Sequence, residues 1–490
     1  MAAQKCLDGF KQAPATLGRV LILGLGKSGK AAAEYCLDRL GDRVESVAVA
    51  AGAPSADAEA WADGARARGA VVIFDHEVIE GAYDLCIASP GISEFSDFYR
   101  SAAVAAAEVI SEVEFAWRES RADARWVAIT GTNGKTTTTA LTCHLLRAAG
   151  LSASAVGNIG ETCIEAVAAG ATAVYVAEVS SYQLASTRDF APDVAVVLNI
   201  TPDHLAWHRT HENYAAAKWK VLAQASAATT AVLNAGDDAV RARIRALRAE
   251  GAPCAIVPIG TAAGVGGDMR AACGSASAAF RGAGGMLTVV LDGREYPLIT
   301  VDDLQIKGAH NQVNALAGAA AALALGAQAT AVAEGLLTFA PLEHRIEPAG
   351  TVAGVACYND SKATNVDATL VALTAFEPQR PIVLLGGRDK GTDLAPLVAA
   401  CRAHARAVIC FGEARERFAA AFAAAVAEGL VVAEAAGMEA ALDEALALAA
   451  PGDVVVLSPA CASFDEFSCF EERGATFKAL VADRARKAGA

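Results

Sequence analysis

The residues Gly131, Thr132, Asn133, Gly134, Lys135, Thr136 and Thr137 follow an apolar run, Trp126–Thr130, and precede a helical pattern that ends at Gly150. Glycines let the backbone curl so that its amides converge on a phosphate, and a helix N-terminus adds its dipole. Lys135 is then placed to neutralise the outer phosphates and the Thr136 hydroxyl to hold Mg²⁺. The spacing departs from GxxxxGK[ST], because Ile129 stands where the first glycine would be. A plain strand–helix turn with an incidental lysine is the alternative. Metal-type residues collect further on. Glu178 ends the run Ala173–Glu178, and Asp203 and His204 follow another run in LNITPDHLAWH. Mg²⁺ needs only one or two carboxylates beside phosphate oxygens and water. A helix cap for Asp203 and an ordinary histidine at 204 are the plain readings. His204, His208 and His211 stand at i, i+4, i+7 and mimic a zinc face, but no open catalytic-zinc pattern accompanies them. Lys218, in YAAAKWKVL, reads on spacing as an exposed helical lysine.

A second glycine cluster, Gly24–Gly29, matches GxGxxG after a strand. A dinucleotide site wants an acidic residue at the end of the next strand, and Glu45–Ala50 runs into AGAPSA with none. That counts against NAD and leaves room for the diphosphate of another nucleotide. Nearer the C-terminus, three polar turns follow strand patterns. CYNDSKATN, preceded by His344 and Arg345, carries Asp360 and Lys362; LLGGRDKGTD carries Lys390; SPACASFDEF carries serines. Open α/β sheets bind ligands at such strand ends.

These turns need parallel sheets to hold them, and short β-branched runs alternate with helical patterns along all 490 residues. The expected class is α/β with three domains: a Rossmann-like domain, a central P-loop ATPase-type domain and a C-terminal Rossmann-like domain. The charged stretch Arg118–Arg125 is a first boundary, and the glycine-rich region Pro258–Asp303 reads as a small antiparallel hairpin. Strands are expected at Val194–Ile200, Ile382–Leu385, Ala407–Phe411 and Val454–Leu457, and an alanine-rich scaffold helix at Phe418–Glu428. Apolar residues make up 54% and charged ones 20%, which excludes global disorder. The net charge of −14 gives no basic footprint for nucleic acid or anionic membrane. Twelve cysteines without a CxxC pair read as reduced, mostly buried thiols. The N-terminus lacks a signal-peptide core, and Ala315–Leu337 is too diluted by Ala, Gly, Gln328, Thr330 and Glu334 to span a membrane. A cytoplasmic protein is expected.

Together GTNGKTT, EVSSYQL, LNITPDHL, AAKWK, KGAHNQVNALA, EHRIE, NDSKATN, LLGGRDKGTD and SPACASFDEF occur in the order of the ATP-dependent Mur ligases, and the chain resembles that family over nearly its whole length. The resemblance implies a UDP-substrate-binding domain (1–111), a central ATP-binding domain (112–341) and a C-terminal closing domain that binds an amino acid (342–490). It implies an acyl phosphate made from ATP and attacked by an amine, in peptidoglycan precursor synthesis and hence cell-wall biogenesis, cell shape and division. NDSKATN and SPACASFDEF are the specific part, and imply UDP-N-acetylmuramoyl-L-alanine and D-glutamate as substrates; a monomer is expected. By motif position, Thr136 and Glu178 match ligands of a first Mg²⁺ and His204 of a second. Lys218 matches a lysine the family carbamylates into a magnesium ligand, against the plain reading above. Lys135, Lys218 and His204 are the implied catalytic set. Asn158 and Ser180 match contacts to the muramoyl substrate. Asn311 and Asn314 match the adenine side of ATP, and Arg345 and Asp360 its ribose and phosphate side. Lys362, Thr364, Lys390, Ser463 and Phe470 match residues around the amino acid or acyl phosphate. Lys27, Ser28, Ser89 and Gly91 fall where the UDP part should lie. The family often has an acidic residue and threonine for uracil after the second strand; this chain reads AVAAGAPSADAEAW there. Folylpolyglutamate synthase, an NAD oxidoreductase and a nucleotide switch without chemistry are the alternatives. The first needs no UDP domain, the second lacks its ribose-binding acid, and the third has no use for Glu178, His204 and three ligand-facing turns.

Overall fold

Runs that are apolar at every position, rather than alternating, belong in parallel sheets covered on both faces. Three such sheets are seen in the computed structural model, which describes residues 6–75, 78–274, 276–389 and 391–489. The first contains β1 (Gly18–Leu23), β2 (Val44–Ala50), β3 (Val71–Ile73), β4 (Leu85–Ala88) and β5 (Val109–Ser111). Its order is β3-β2-β1-β4-β5 and every pairing is parallel. The second contains β6 (Arg125–Thr130), β7 (Ala153–Gly157), β8 (Val174–Glu178), β9 (Val194–Val197), β10 (Thr230–Asn234), β11 (Ala255–Thr261), β12 (Ala278–Arg281), β13 (Met286–Leu291) and β14 (Arg294–Thr300). Its order is β14-β13-β12-β11-β10-β9-β6-β8-β7. Only the pairings β12–β13 and β13–β14 are antiparallel. The expected hairpin in 258–303 is therefore the edge of a larger sheet, and its first part, β11, is a parallel strand.

The chain divides into two compact units, one formed by the residues up to Asp302 with Val313–Leu337, the other by Asp303–Gln312 with the residues from Thr338 on. The first unit holds the first two sheets. They are joined through the helix Glu112–Glu119, which follows β5 directly. That helix carries three buried glutamates, each committed to a different partner. Glu112 accepts the Ile164 N–H at 2.7 Å. Glu114 accepts the N–H groups of Arg188 and Asp189 and pairs with Arg118 at 2.5 Å. Glu119 pairs with Arg43 at 2.6 Å and accepts the Tyr35 hydroxyl at 2.7 Å. Around them Tyr35 meets Phe115 edge-on at 5.4 Å, and Phe190 lies edge-on to both Trp117 and Trp126 at 6.1 Å.

The second unit carries the third sheet: β15 (Glu347–Val352), β16 (Val355–Asn359), β17 (Ile382–Gly386), β18 (Ala407–Phe411), β19 (Val431–Glu434) and β20 (Val454–Leu457). The order is β15-β16-β20-β17-β18-β19, parallel except for β15. Its two faces bury separate apolar layers, one under Phe418 and Phe422, the other under Phe477 and Val481. The α/β class with three domains is the class expected.

Two local expectations change. The strand after Asp193 stops at Val197, leaving Leu198–Ile200 as a loop. The alanine-rich segment 418–428 is two short helices, Arg415–Ala421 and Ala423–Ala427. The apolar stretch 315–337 is divided between the helices Ala309–Ala324 and Ala329–Thr338. Among the described residues no helix is long and apolar enough to cross a membrane. All twelve cysteines are free, ten of them buried; Cys6 is exposed and Cys469 half-buried.

Candidate active site

β6 lies between β8 and β9, so the loops leaving its C-terminal end and theirs converge. The register sets Glu178 opposite Ile129 and Val197 opposite Thr130. The loop 131–134 leads into the helix Lys135–Ala148, with Gly134 as N-cap in the left-handed region, φ +86°. A Cβ there would come within 2.7 Å of Asn314 Oδ1, so a side chain is barred by backbone and by space. Asn199 clamps the loop on both sides: its Oδ1 accepts the Asn133 N–H at 2.8 Å and its Nδ2 donates to the Asn133 carbonyl at 3.1 Å. Thr132 Oγ1 lies 2.9 Å from the Tyr214 hydroxyl and accepts the Thr201 N–H at 3.0 Å. Lys135 Nζ donates to the carbonyls of Gly131 (2.8 Å) and Thr132 (3.0 Å), folded back over the loop's mouth.

Lys218 is not exposed. It is 1% accessible, donates to the Gly131 carbonyl at 2.8 Å and sits 4.7 Å from the Tyr214 ring centroid. The spacing argument failed because the helix His211–Trp219 turns this face inward against the phosphate loop. Burial, with the Lys135 charge beside it, pushes the Lys218 ammonium well below its usual value. Glu178 is also buried; its Oε1 accepts from Asn158 Nδ2 at 2.9 Å, while among the described residues its Oε2 has no hydrogen-bond partner. His204 stands half-exposed in the left-handed region at φ +54°, with Asp203 Oδ1 accepting its N–H at 2.8 Å. Burial lowers its pKa more than Asp203 raises it. His208 turns away to Ser181 Oγ at 2.9 Å, and desolvation takes it down to about 4. Among the described residues no three His, Cys, Asp or Glu side chains are grouped to hold a metal. Magnesium tolerates that, because it draws most of its ligands from phosphate and water. A buried carboxylate oxygen without a partner, beside a phosphate loop carrying Thr136, fits such an ion.

In the first sheet, Ser89 Oγ donates to the Gly24 carbonyl at 3.2 Å, tying the loop after β4 to the one after β1. Lys27 opens the helix after β1 and donates to the Gly160 carbonyl at 2.5 Å, next to the loop carrying Asn158. Ser28 follows it, and Gly91 lies exposed beyond Ser89. Ser180 caps the helix Ser181–Ala185 through a reciprocal pair with Gln183. In the second unit, Asn311 Nδ2 donates to the Lys307 carbonyl at 2.7 Å. Asp360 is buried after β16, accepts Ser458 Oγ at 2.8 Å and the Ile346 N–H at 3.3 Å, and is pushed up to about 7 by burial, against the Arg345 charge. Lys362 lies 5.3 Å from the Phe470 ring centroid, and the Thr364 N–H donates to the Lys362 carbonyl. Ser463 is buried. Lys390 lies outside the described residues. Two residues that bracket the phosphate loop were missed: Asn199 and Tyr214. LNITPDHL contains the first, but nothing in the motif says that its side chain brackets a loop 66 residues earlier.

A phosphate loop, a buried carboxylate beside it and a separate α/β unit with polar turns at its strand ends define a nucleotide-dependent ligase class. Residues 129–322 match the family described as Mur ligase middle domain, and residues 344–461 match Mur ligase, glutamate ligase domain. The chain is 40% identical over 478 residues to the UDP-N-acetylmuramoylalanine–D-glutamate ligase of Salinibacter ruber, covering 94% of this chain and 97% of that protein. It is 38% identical over 409 residues to the same-named ligase of Alkaliphilus metalliredigens, covering 83% and 85%. The chain belongs to the UDP-N-acetylmuramoylalanine–D-glutamate ligase family of Mur ligases, which are ATP-dependent and use Mg²⁺. Among solved structures, the fold resembles a pseudomurein peptide ligase type C from Methanothermus fervidus (TM-score 0.55, 18% identity, 95% of this chain and 99% of that one). It also resembles a UDP-N-acetylmuramate-alanine ligase from Thermotoga maritima (TM-score 0.53, 17% identity, 96% and 99%).

Proposed function

We propose that this chain joins D-glutamate to UDP-N-acetylmuramoyl-L-alanine at the expense of ATP, in peptidoglycan precursor synthesis. A carboxylate oxygen of the UDP-sugar substrate attacks the γ-phosphorus and ADP leaves, giving an acyl phosphate. The amino-acid nitrogen then attacks the acyl carbon, phosphate leaves, the nitrogen loses a proton, and an amide remains. The observation that carries the reading is Lys218, a buried amine bonded to the phosphate loop itself and facing Lys135. A lysine held at low proton affinity is free to react with CO₂, and its carbamate would turn a cation into a ligand. Two Mg²⁺ ions are proposed, held by Thr136 and Glu178 and by His204 and the modified Lys218. When bound they would screen the phosphates and polarise the transferring group.

The residues have distinct tasks. Gly131–Thr137 cradle the ATP phosphates, with Lys135 drawing charge off the transferring oxygens. Asn311, Asn314, Arg345 and Asp360 hold the rest of the nucleotide. Asn158 and Ser180 hold the muramoyl part, and Lys27, Ser28, Ser89 and Gly91 the UDP part. Lys362, Thr364, Lys390, Ser463 and Phe470 hold the amino acid, whose extra carboxylate suits a lysine-and-hydroxyl pocket. The proposed domains are 1–111, 112–341 and 342–490, the last closing on substrate, in a cytoplasmic monomer.

Phosphate release from ATP and Mg²⁺ with the UDP-sugar substrate, with and without D-glutamate, tests this. Release that requires both, with an amide product by mass, is expected; L-glutamate and glycine serve as comparisons. Release indifferent to the UDP-sugar would refute it.

A further inference from the structure

The helix Phe470–Ala488 begins with Phe470, Arg473 and Gly474 on one face, at i, i+3 and i+4. Arg473 is fully buried. Its Nε donates to Ser361 Oγ at 2.9 Å and its Nη2 to the Ser361 carbonyl at 2.8 Å and the Cys461 carbonyl at 3.1 Å. Its Nη1 donates to the Ala462 carbonyl at 3.3 Å. Ser361 Oγ in turn donates to the Phe470 carbonyl at 2.8 Å. The Ala462 carbonyl also accepts the Arg388 N–H at 2.8 Å, which brings in the turn after β17. Gly474 lets His344 approach: a Cβ there would lie 2.1 Å from His344 Nδ1.

Among the described residues no carboxylate forms an ion pair with Arg473; its acceptors are carbonyls and one hydroxyl of two turns. Sinking a guanidinium in this way is costly, and an apolar side chain would hold helix to sheet more cheaply. A planar fork offers something else: donors fixed in one plane, able to set the distance between two loops. Those turns, after β16 and β20, carry Lys362, Thr364 and Ser463.

We infer that Arg473 is a positioning residue that fixes the turn 359–364 against the turn 458–463, and so sets the affinity for the acidic amino acid. The inference rests on the amino-acid site proposed above. It is tested in the full chain with Arg473→Lys, which keeps the charge but loses the fork, and with Ser361→Ala, a milder change at the other end of the same bonds. Two quantities are measured: the KM for D-glutamate in amide formation, and acyl phosphate trapped by hydroxylamine with ATP and UDP-sugar but no amino acid. The expected result is a KM raised at least tenfold in Arg473→Lys and severalfold in Ser361→Ala, with trapped hydroxamate within twofold of wild type. Glu471→Gln, exposed in the same helical turn, leaves both unchanged. A KM within twofold of wild type in both variants overturns the inference, as does hydroxamate that falls in step with amide. If the wild-type chain forms no amide from D-glutamate, the reading beneath fails first, and that outcome is distinct because no KM can then be measured.

Discussion

Replacing Glu112 by glutamine should stabilise the first unit at alkaline pH and do little in acid. Glu112 is 2% exposed; one carboxylate oxygen accepts the Ile164 N–H, and among the described residues the other has no hydrogen-bond partner. Burial pushes its pKa from 4.5 to about 7, against the backbone bonds that favour the charge. The folded chain therefore retains a proton that the unfolded chain releases, and wild-type stability falls as pH rises from about 4.5 to about 7. That rise corresponds to ~3 kcal/mol at pH 8, shrinking to ~1 kcal/mol at pH 5. Glutamine preserves the acceptor and removes the ionisation, so its advantage over wild type should grow by ~2 kcal/mol across that range. All five tryptophans, Trp61, Trp117, Trp126, Trp207 and Trp219, belong to this unit, so urea unfolding followed by tryptophan fluorescence reports on it alone. A difference between variant and wild type that does not change with pH, or a less stable variant at pH 8, would refute the assignment of Glu112 as a buried acid that keeps its proton in the folded chain.

Lys135→Ala should lower turnover by ~10²–10³ with the fold intact, because the developing phosphoryl charge loses its nearest fixed cation; steady-state phosphate release with a matching melting curve checks this. Lys218→Ala should lose activity and regain part of it with added formate or acetate, if a carbamate supplies a carboxylate-like ligand; full activity without additives would sink the carbamate. Gly134→Ala should weaken ATP binding at least tenfold and cost ~1–2 kcal/mol of stability, since the new methyl meets Asn314 at a left-handed position; calorimetric titration with a non-hydrolysable ATP analogue measures the first and urea unfolding the second.

Much of this protein is legible along the chain because its local signals and its fold agree. The runs ending at Thr130 and Glu178 are apolar up to their last residue, and the structure makes them adjacent parallel strands of one sheet. Misreadings fell where local propensity was ambiguous. Residues 418–428 look like one alanine-rich helix, yet Phe422 is buried in the core beneath the sheet and the helix breaks there. Val194–Ile200 looks like one strand, but its last residues are needed as a loop, from which Asn199 reaches the phosphate loop.

By itself the sequence determined the α/β class, the phosphate loop with its lysine and hydroxyl, and the family, because these depend on residues close together in the chain and on their period. Tertiary structure alone decided the environments. Lys218 lies 87 residues from the carbonyl it bonds, and Arg473 lies 112 from Ser361. Burial and charge at such positions are set by what packs against them, and helical spacing carries no record of that.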